Sequence, residues 1–246
     1  MKVVKGEIVT KNVLILGASG DIGRAISKQL ALENYSLILH YHQNKTSIEK
    51  LMKELAAESV LQTIQADLKK PDEIKRLCHH IFSPVHAIIY VSGTAHFGLF
   101  QDVPEQVMDE MLSLHVKAPW IITQHFLPSM IQNKSGKIIF ITSLWGSLGA
   151  SNEVIYSAVK GAQNSFVKAL AKEVGPSGVL VNAVSPGFID TKMNRHFLED
   201  EREDIIAHIP LNRAGLSSDV AHTVSFLMNE KSNYIQGEII NITGGW

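Results

Sequence analysis

Short apolar runs rich in β-branched residues recur along the chain at 12–16, 36–42, 60–66, 86–91, 137–142, 179–184 and 238–242, and segments of helical period fill the intervals. A run that stays apolar at successive positions belongs to a strand covered on both faces. A strand followed by a helix's length of chain returns parallel to its neighbour. The expected fold is therefore α/β: a doubly wound Rossmann fold with a seven-stranded parallel sheet flanked by helices. The length of 246 residues would suit one large domain or two small ones. No Pro-, Gly- or Ser-rich linker and no repeat interrupts the alternation, so one domain is expected over 1–246.

Ligands of open parallel sheets bind beyond the carboxyl ends of the strands. The loops after Leu16, Val91 and Thr142 are thus the places for chemistry, and the segment from about 187 to 208 reads as a lid over substrate. The first loop is Gly17-Ala18-Ser19-Gly20-Asp21-Ile22-Gly23. Its glycines permit a tight turn and let backbone N–H groups approach a pyrophosphate at a helix N-terminus. Gly17, Ser19, Gly20, Asp21, Ile22 and Gly23 are the candidate contacts. Taken alone, the string would equally be an ordinary turn with Asp21 as N-cap; its place at the head of a long alternating chain favours the cofactor.

Enzymes that prefer NAD place a carboxylate on the adenine ribose at the end of the second strand. Here the chain reads His40-Tyr41-His42-Gln43-Asn44-Lys45. No acid is present to repel a 2′-phosphate, and His42, Asn44 and Lys45 are candidates to bind one, so NADP is expected ahead of NAD. The same three residues would also pass for solvated loop positions. Asp67, after the third run, is placed to meet the adenine ring or to cap the next helix.

Tyr156 and Lys160 lie four apart in a segment of helical period and share one face. An ammonium beside a phenol favours phenolate and is expected to draw the tyrosine pKa down from about 10, giving a general acid or base. Such a pair is usually structural. What distinguishes this one is Ser143, at the carboxyl end of the fifth run, whose hydroxyl would hold a substrate carbonyl oxygen.

Together these motifs resemble the short-chain dehydrogenase/reductase family over nearly the whole chain. The resemblance adds Gly93, the stretch Val181-Asn182-Ala183-Val184-Ser185-Pro186-Gly187, and the ending from Tyr234-Ile235-Gln236-Gly237 to Gly244-Gly245. It implies that Lys160 also binds the nicotinamide ribose, that Pro186, Gly187, Ile189 and Thr191 lie along the nicotinamide and phosphate end, and that the chain forms a homotetramer through its long fourth and fifth helices and C-terminal strand. Pro186 to Thr191 and Ile209-Pro210-Leu211-Asn212-Arg213 look most like the 3-oxoacyl-acyl-carrier-protein reductases. That implies a cytoplasmic enzyme of fatty acid biosynthesis, reducing a 3-oxoacyl thioester. Lys134, Lys137 and Lys172 occupy places comparable to those that dock acyl carrier protein, although solvated lysines would look the same. His96, Phe97, Trp145, Leu148, Phe188 and Met193 are expected to line the substrate cleft, which another ketone or alcohol, such as a steroid, sugar or polyol, would also suit.

The chain departs from the family at four places, one of them a three-residue segment. Asp21 stands where a second glycine is usual, Leu16 where threonine precedes the turn, and Tyr90-Val91-Ser92 where Asn-Asn-Ala precedes Gly93. His115 stands where an asparagine positions a water in the proton relay behind the lysine; its imidazole can also donate and accept, and it is counted among the catalytic candidates. Asp21 and His115 motivate a rival reading, a nucleotide-sensing or scaffold protein without efficient catalysis.

Several classes are disfavoured. The net charge of -1 provides no field for nucleic acid or an anionic membrane. No stretch approaches the roughly 18 apolar residues of a membrane span, and the run at 13–16, behind the charges Lys2, Lys5 and Glu7, is too short for a signal core. The single cysteine, Cys78, reads as buried, and the scattered histidines offer no metal spacing, so no metal is expected.

Overall fold

The structure, a computed structural model, describes residues 11–195 and 197–246; the charges of the first ten residues and position 196 of the lid lie outside the described residues. Each apolar run forms a strand. In chain order the elements are β1 (Asn12–Leu16), α1 (Asp21–Leu32), β2 (Ser36–Tyr41), α2 (Lys45–Glu54), β3 (Val60–Gln65), α3 (Pro71–His79), β4 (Ala87–Tyr90) and α4 (Glu105–Leu112). A π-helical turn (Ser113–Lys117) leads into α5 (Ala118–Gln132). There follow β5 (Gly136–Ile141), α6 (Trp145–Leu148), α7 (Val154–Val174), β6 (Val179–Pro186), α8 (Glu199–Ala207), α9 (Ser217–Met228) and β7 (Ile239–Ile242).

The strands form a single sheet in the order β3-β2-β1-β4-β5-β6-β7, with every pairing parallel. Chain order reverses between β1 and β4, which opens a crevice at their carboxyl ends. Alternate residues of one strand feed opposite faces. Leu14 and Leu16 join Ile88 and Ile138 against Ile122 and Phe126 of α5 and Val167 of α7. Val13 and Ile15 join Leu37 and Ile89 against Ile26 and Leu30 of α1 and Val224 of α9. Burying each such side chain contributes roughly 1.5–3 kcal/mol. β3 departs from the expectation of apolar strands covered on both faces: at the sheet edge only Ile64 is buried, and Leu61 is 46% exposed. Cys78 is buried in the core, where desolvation pushes its thiol up to about 11.

Two polar residues have structural duties. Tyr90, fully buried, donates its hydroxyl to Leu114 O at 2.5 Å, tying β4 to the π-turn. Lys137 is not the docking lysine expected: its ammonium donates to Leu227 O at 2.8 Å and Asn229 O at 2.7 Å, closing the carboxyl end of α9. Those carbonyls have no intrahelical donor, so a cation there is favourable. Burial, followed by the nearby Lys11 charge, lowers Lys137 to about 8. Lys134 and Lys172 are exposed, but at the amino end of the sheet; Lys172 lies roughly 24 Å along α7 from Tyr156 at 1.5 Å per residue. Among the described residues no helix is long and apolar enough to cross a membrane.

Candidate active site

The glycine turn is fixed by sterics. Gly17 has φ +94°, and a Cβ there would lie 2.8 Å from Ser92 N; at Gly23 a Cβ would lie 2.2 Å from Gly17 O. Only glycine lets α1 sit this close to the turn. His40 holds the turn from below: Gly17 N–H donates to its Nδ1 at 3.1 Å, which leaves Nε2–H to donate to Ala66 O at 3.0 Å. Burial pushes this imidazole down to about 4, so it stays neutral and keeps both roles. The sequence signal for it was a polar residue inside an otherwise apolar strand. Ser47 adds a further tie, donating its hydroxyl to Ser19 O at 2.8 Å.

Helix α1 has Gly20 as its N-cap and no side-chain cap, so its first N–H groups face a cleft of about 590 Å³. Gly17, Ser19, Gly20, Asp21, Ile22 and Gly23 all line it, as do His42, Asn44, Asp67 and Gly93. A glycine cradle at an uncapped helix N-terminus fits a dinucleotide pyrophosphate. Asp21 turns its carboxylate to the lid, where Oδ2 accepts from Lys192 N at 2.7 Å. Asn44 caps α2 by accepting from Ser47 N at 3.0 Å. Asp67 does not cap α3, whose N-cap is Lys70 without a side-chain bond; its Oδ1 accepts from Lys69 N at 3.0 Å in the turn before that helix, and its Oδ2 lies 3.7 Å from His42 Nε2 at the cleft. Lys45 does not reach the cleft; it lies 3.8 Å from Glu49, one turn along the exposed side of α2.

Ser143, just beyond β5, and Tyr156 and Lys160, in the first two turns of α7, come together at the floor of an adjoining cavity of about 310 Å³. Gly146 makes this possible, because a Cβ there would lie 2.8 Å from the backbone carbon of Lys160. Tyr156 is hydrogen-bonded to Ser143. Its pKa moves opposite to the sequence expectation: burial pushes it up to about 12, the Ser143 bond opposes this, and the Glu153 charge adds to it. The reason is geometric. Lys160 Nζ lies 5.6 Å from the centre of the tyrosine ring and donates to Ile141 O at 2.8 Å and Gln163 Oε1 at 3.2 Å. Burial lowers the lysine itself to about 7, so near neutral pH it carries only part of its charge.

His115 also departs from expectation. Its imidazole is fully buried behind Gly93 and Thr94, lines neither the cleft nor the cavity, and meets Tyr156 edge to face at 5.8 Å. Nε2 lies 2.9 Å from Thr94 O, while Nδ1 has no hydrogen-bond partner. Burial and then the Lys160 charge push it down to about 3. Its backbone carbonyl, not its ring, faces the lysine, through Gln163, a residue sequence reasoning missed.

The cavity shares Ile22, Val91, Gly93, Thr191 and Met193 with the cleft, and Pro186, Gly187 and Ile189 also line it. Phe97, Trp145, Phe188 and Met193 line it as expected; His96 does not, nor does Leu148, which is 67% exposed. Trp246 was not anticipated, and packs edge to face on Trp145 at 5.0 Å. Phe197 of the lid meets Phe188 at 5.9 Å and Phe97 at 6.4 Å. The lid is pinned further by Arg202, 3.4 Å from Asp190 and 5.6 Å above the Phe188 ring.

Comparison with known proteins agrees with this architecture. A family model described as enoyl-(acyl carrier protein) reductase matches residues 17–246. The chain is 45% identical over 240 residues to the uncharacterised oxidoreductase YmfI of Bacillus subtilis, covering 97% of this chain and 99% of that one. It is 34% identical over 241 residues to the 3-oxoacyl-[acyl-carrier-protein] reductase FabG of Staphylococcus epidermidis, covering 96% and 99%. Among solved structures, YwfH, described as an NADPH-dependent reductase involved in bacilysin biosynthesis, superposes with a TM-score of 0.89 at 24% identity over 96% of this chain and 98% of its own. ElxO with NADP bound does so with a TM-score of 0.87, also at 24% identity, over 96% and 98%.

Proposed function

The chain belongs to the short-chain dehydrogenase/reductase family of oxidoreductases, and on that premise we propose that it uses NADPH to reduce the carbonyl of a 3-oxoacyl thioester to a secondary alcohol. The observation that carries this reading is Tyr156, a buried phenol bonded to Ser143 beside an apolar cavity that opens on the dinucleotide cleft. A phenol that is protonated in the ligand-free site and lies beside Ser143 can donate to a carbonyl oxygen as hydride arrives at its carbon.

A reduced nicotinamide held along Pro186, Gly187, Ile189 and Thr191 would supply the hydride. Ser143 Oγ and Tyr156 Oη donate hydrogen bonds to the carbonyl oxygen and stabilise the charge that develops there. Tyr156 then delivers its proton to that oxygen. Lys160, anchored at Ile141 O and Gln163, supports the tyrosine from behind. His42 at a cleft whose second strand ends without a carboxylate supports NADP, as do the two neighbouring structures, one of an NADPH-dependent reductase and one with NADP bound. The FabG relatives support a 3-oxoacyl substrate, and the family resemblance supports acyl carrier protein as its carrier and a cytoplasmic homotetramer.

One observation favours a second reading. Lid helix α8 carries Glu199, Asp200, Glu201, Glu203 and Asp204, a negative surface at the mouth that disfavours an acidic carrier and suits a small free ketone. Loss of NADPH and NADH absorbance, followed with a short β-ketoacyl thioester and with a panel of small ketones, tests both. Turnover of the thioester with NADPH by wild type, abolished in Tyr156→Phe with cofactor binding intact, supports the first reading. Turnover of ketones alone supports the second. Nucleotide binding without any turnover would overturn both in favour of a sensing protein.

A further inference from the structure

We infer that Gln163 is a positioning residue for the proton chemistry, a fixed amide clamp that joins the Lys160 ammonium to the backbone of the π-turn. The inference rests on the reading of Lys160 as support for Tyr156.

The clamp originates in a helix defect. Pro119, four residues beyond His115, has no N–H to return the ordinary helical bond to His115 O. At this break the π-turn leaves carbonyls that side chains must satisfy. Tyr90 serves Leu114 O, and Gln163 Nε2 serves His115 O at 2.8 Å. Gln163 sits three residues after Lys160 on α7, hence on the same face, and its Oε1 accepts from Lys160 Nζ at 3.2 Å. The amide is 3% exposed, and its orientation follows from its partners, since only the nitrogen can donate to a carbonyl and only the oxygen can accept from an ammonium.

This arrangement has a chemical consequence that a water or an imidazole at the same place would not have. A carboxamide neither gains nor loses a proton at ordinary pH, so the path from Lys160 toward His115 is closed. The titratable groups near Lys160 are Tyr156 from its own helix and, beyond the amide, the His115 ring of the π-turn, both neutral through burial, while Glu153 acts on Tyr156 from the N-cap of α7. Lys160 thus has two neutral acceptors, Ile141 O and Gln163 Oε1; the second is the one a substitution can alter, and altering it moves the buried ammonium's protonation in a predictable direction.

Two variants of similar size test this in opposite directions. Gln163→Leu removes an acceptor from the ammonium; Gln163→Glu places a carboxylate beside it. The readout is the pH titration of the Lys160 ε-carbon by 13C NMR in the ligand-free protein, the signal being identified by its loss in Lys160→Met. The pH profile of kcat/KM for NADPH-dependent reduction is measured alongside. Gln163→Glu is expected to move the Lys160 titration up by about one unit or more, Gln163→Leu is expected to move it down, and the kinetic profile is expected to shift in the same sense. Coincident titrations in wild type and both folded variants would overturn the proposal. If Gln163→Leu fails to fold, an unchanged titration in Gln163→Glu alone overturns it. Absence of turnover in wild type would instead count against the reductase reading, and the NMR titration would still decide the clamp.

Discussion

Asp21 and Lys192 lie 171 positions apart in sequence, yet the carboxylate of the first accepts the backbone N–H of the second at 2.7 Å, fastening the start of α1 to the lid. A negative charge thus stands at the edge of the pyrophosphate cradle because it holds the lid. Asp21→Asn keeps an acceptor oxygen and removes the charge. NADPH is expected to bind roughly 3–10-fold more tightly to this variant, the effect of about 1 kcal/mol typical of a charge at a helix N-terminus. Fluorescence titration measures it; equal or weaker binding would show that the carboxylate is not felt by the phosphates.

Gly93 and His115 fit one another. A Cβ at position 93 would lie 2.7 Å from His115 Cε1. Gly93→Ala is expected to destabilise by about 1–3 kcal/mol through overpacking, and the smaller side chain of His115→Asn is expected to relieve most of it. A double-mutant cycle from denaturant unfolding checks the coupling; additive effects would mean that the clash is absorbed elsewhere.

Acid should weaken the fold through its buried histidines. Burial lowers His40 to about 4 and His115 to about 3 from an ordinary 6.5. The unfolded chain therefore binds more protons than the folded one between those values, and unfolding free energy falls as pH drops through this window. The stabilisation is fully present above about pH 6.5. His115→Asn is expected to flatten the decline in Tm between pH 6.5 and 4 by several degrees. A decline identical to wild type would place the acid sensitivity at other groups.

Trp246 closes the cavity against Trp145. If it binds the ground state and transition state alike, Trp246→Ala raises KM by about tenfold and leaves kcat near wild type. Steady-state kinetics decide; a fall in kcat with KM unchanged would assign the indole to the orientation of the reacting carbonyl instead.

Much of this molecule is legible from local pattern. The strands follow from apolar runs because cover on both faces is a property of consecutive residues; only at β3, where the sheet ends, does the rule fail. The glycine turn is equally local, since the steric demands at Gly17 and Gly23 come from residues of the motif and of the adjacent strand loop. Tyr156 and Lys160 share a face by helical spacing alone. The sequence therefore determined the sheet, the cleft and the pairing of Tyr156 with Lys160 on one face of α7.

Tertiary structure decided how those groups behave. Whether Lys160 tunes Tyr156 depends on where its ammonium points and how deeply both are buried, and the carbonyl of Ile141 and the amide of Gln163 draw it off the phenol. Of three lysines alike in sequence, Lys137 is consumed by the end of α9 while Lys134 and Lys172 stay in water. His115 looked like a relay residue and became a neutral packing group because Gly93 and Thr94 close over it. Desolvation and hydrogen-bond direction are sums over neighbours brought from distant parts of the chain, so they exist only once the chain has folded.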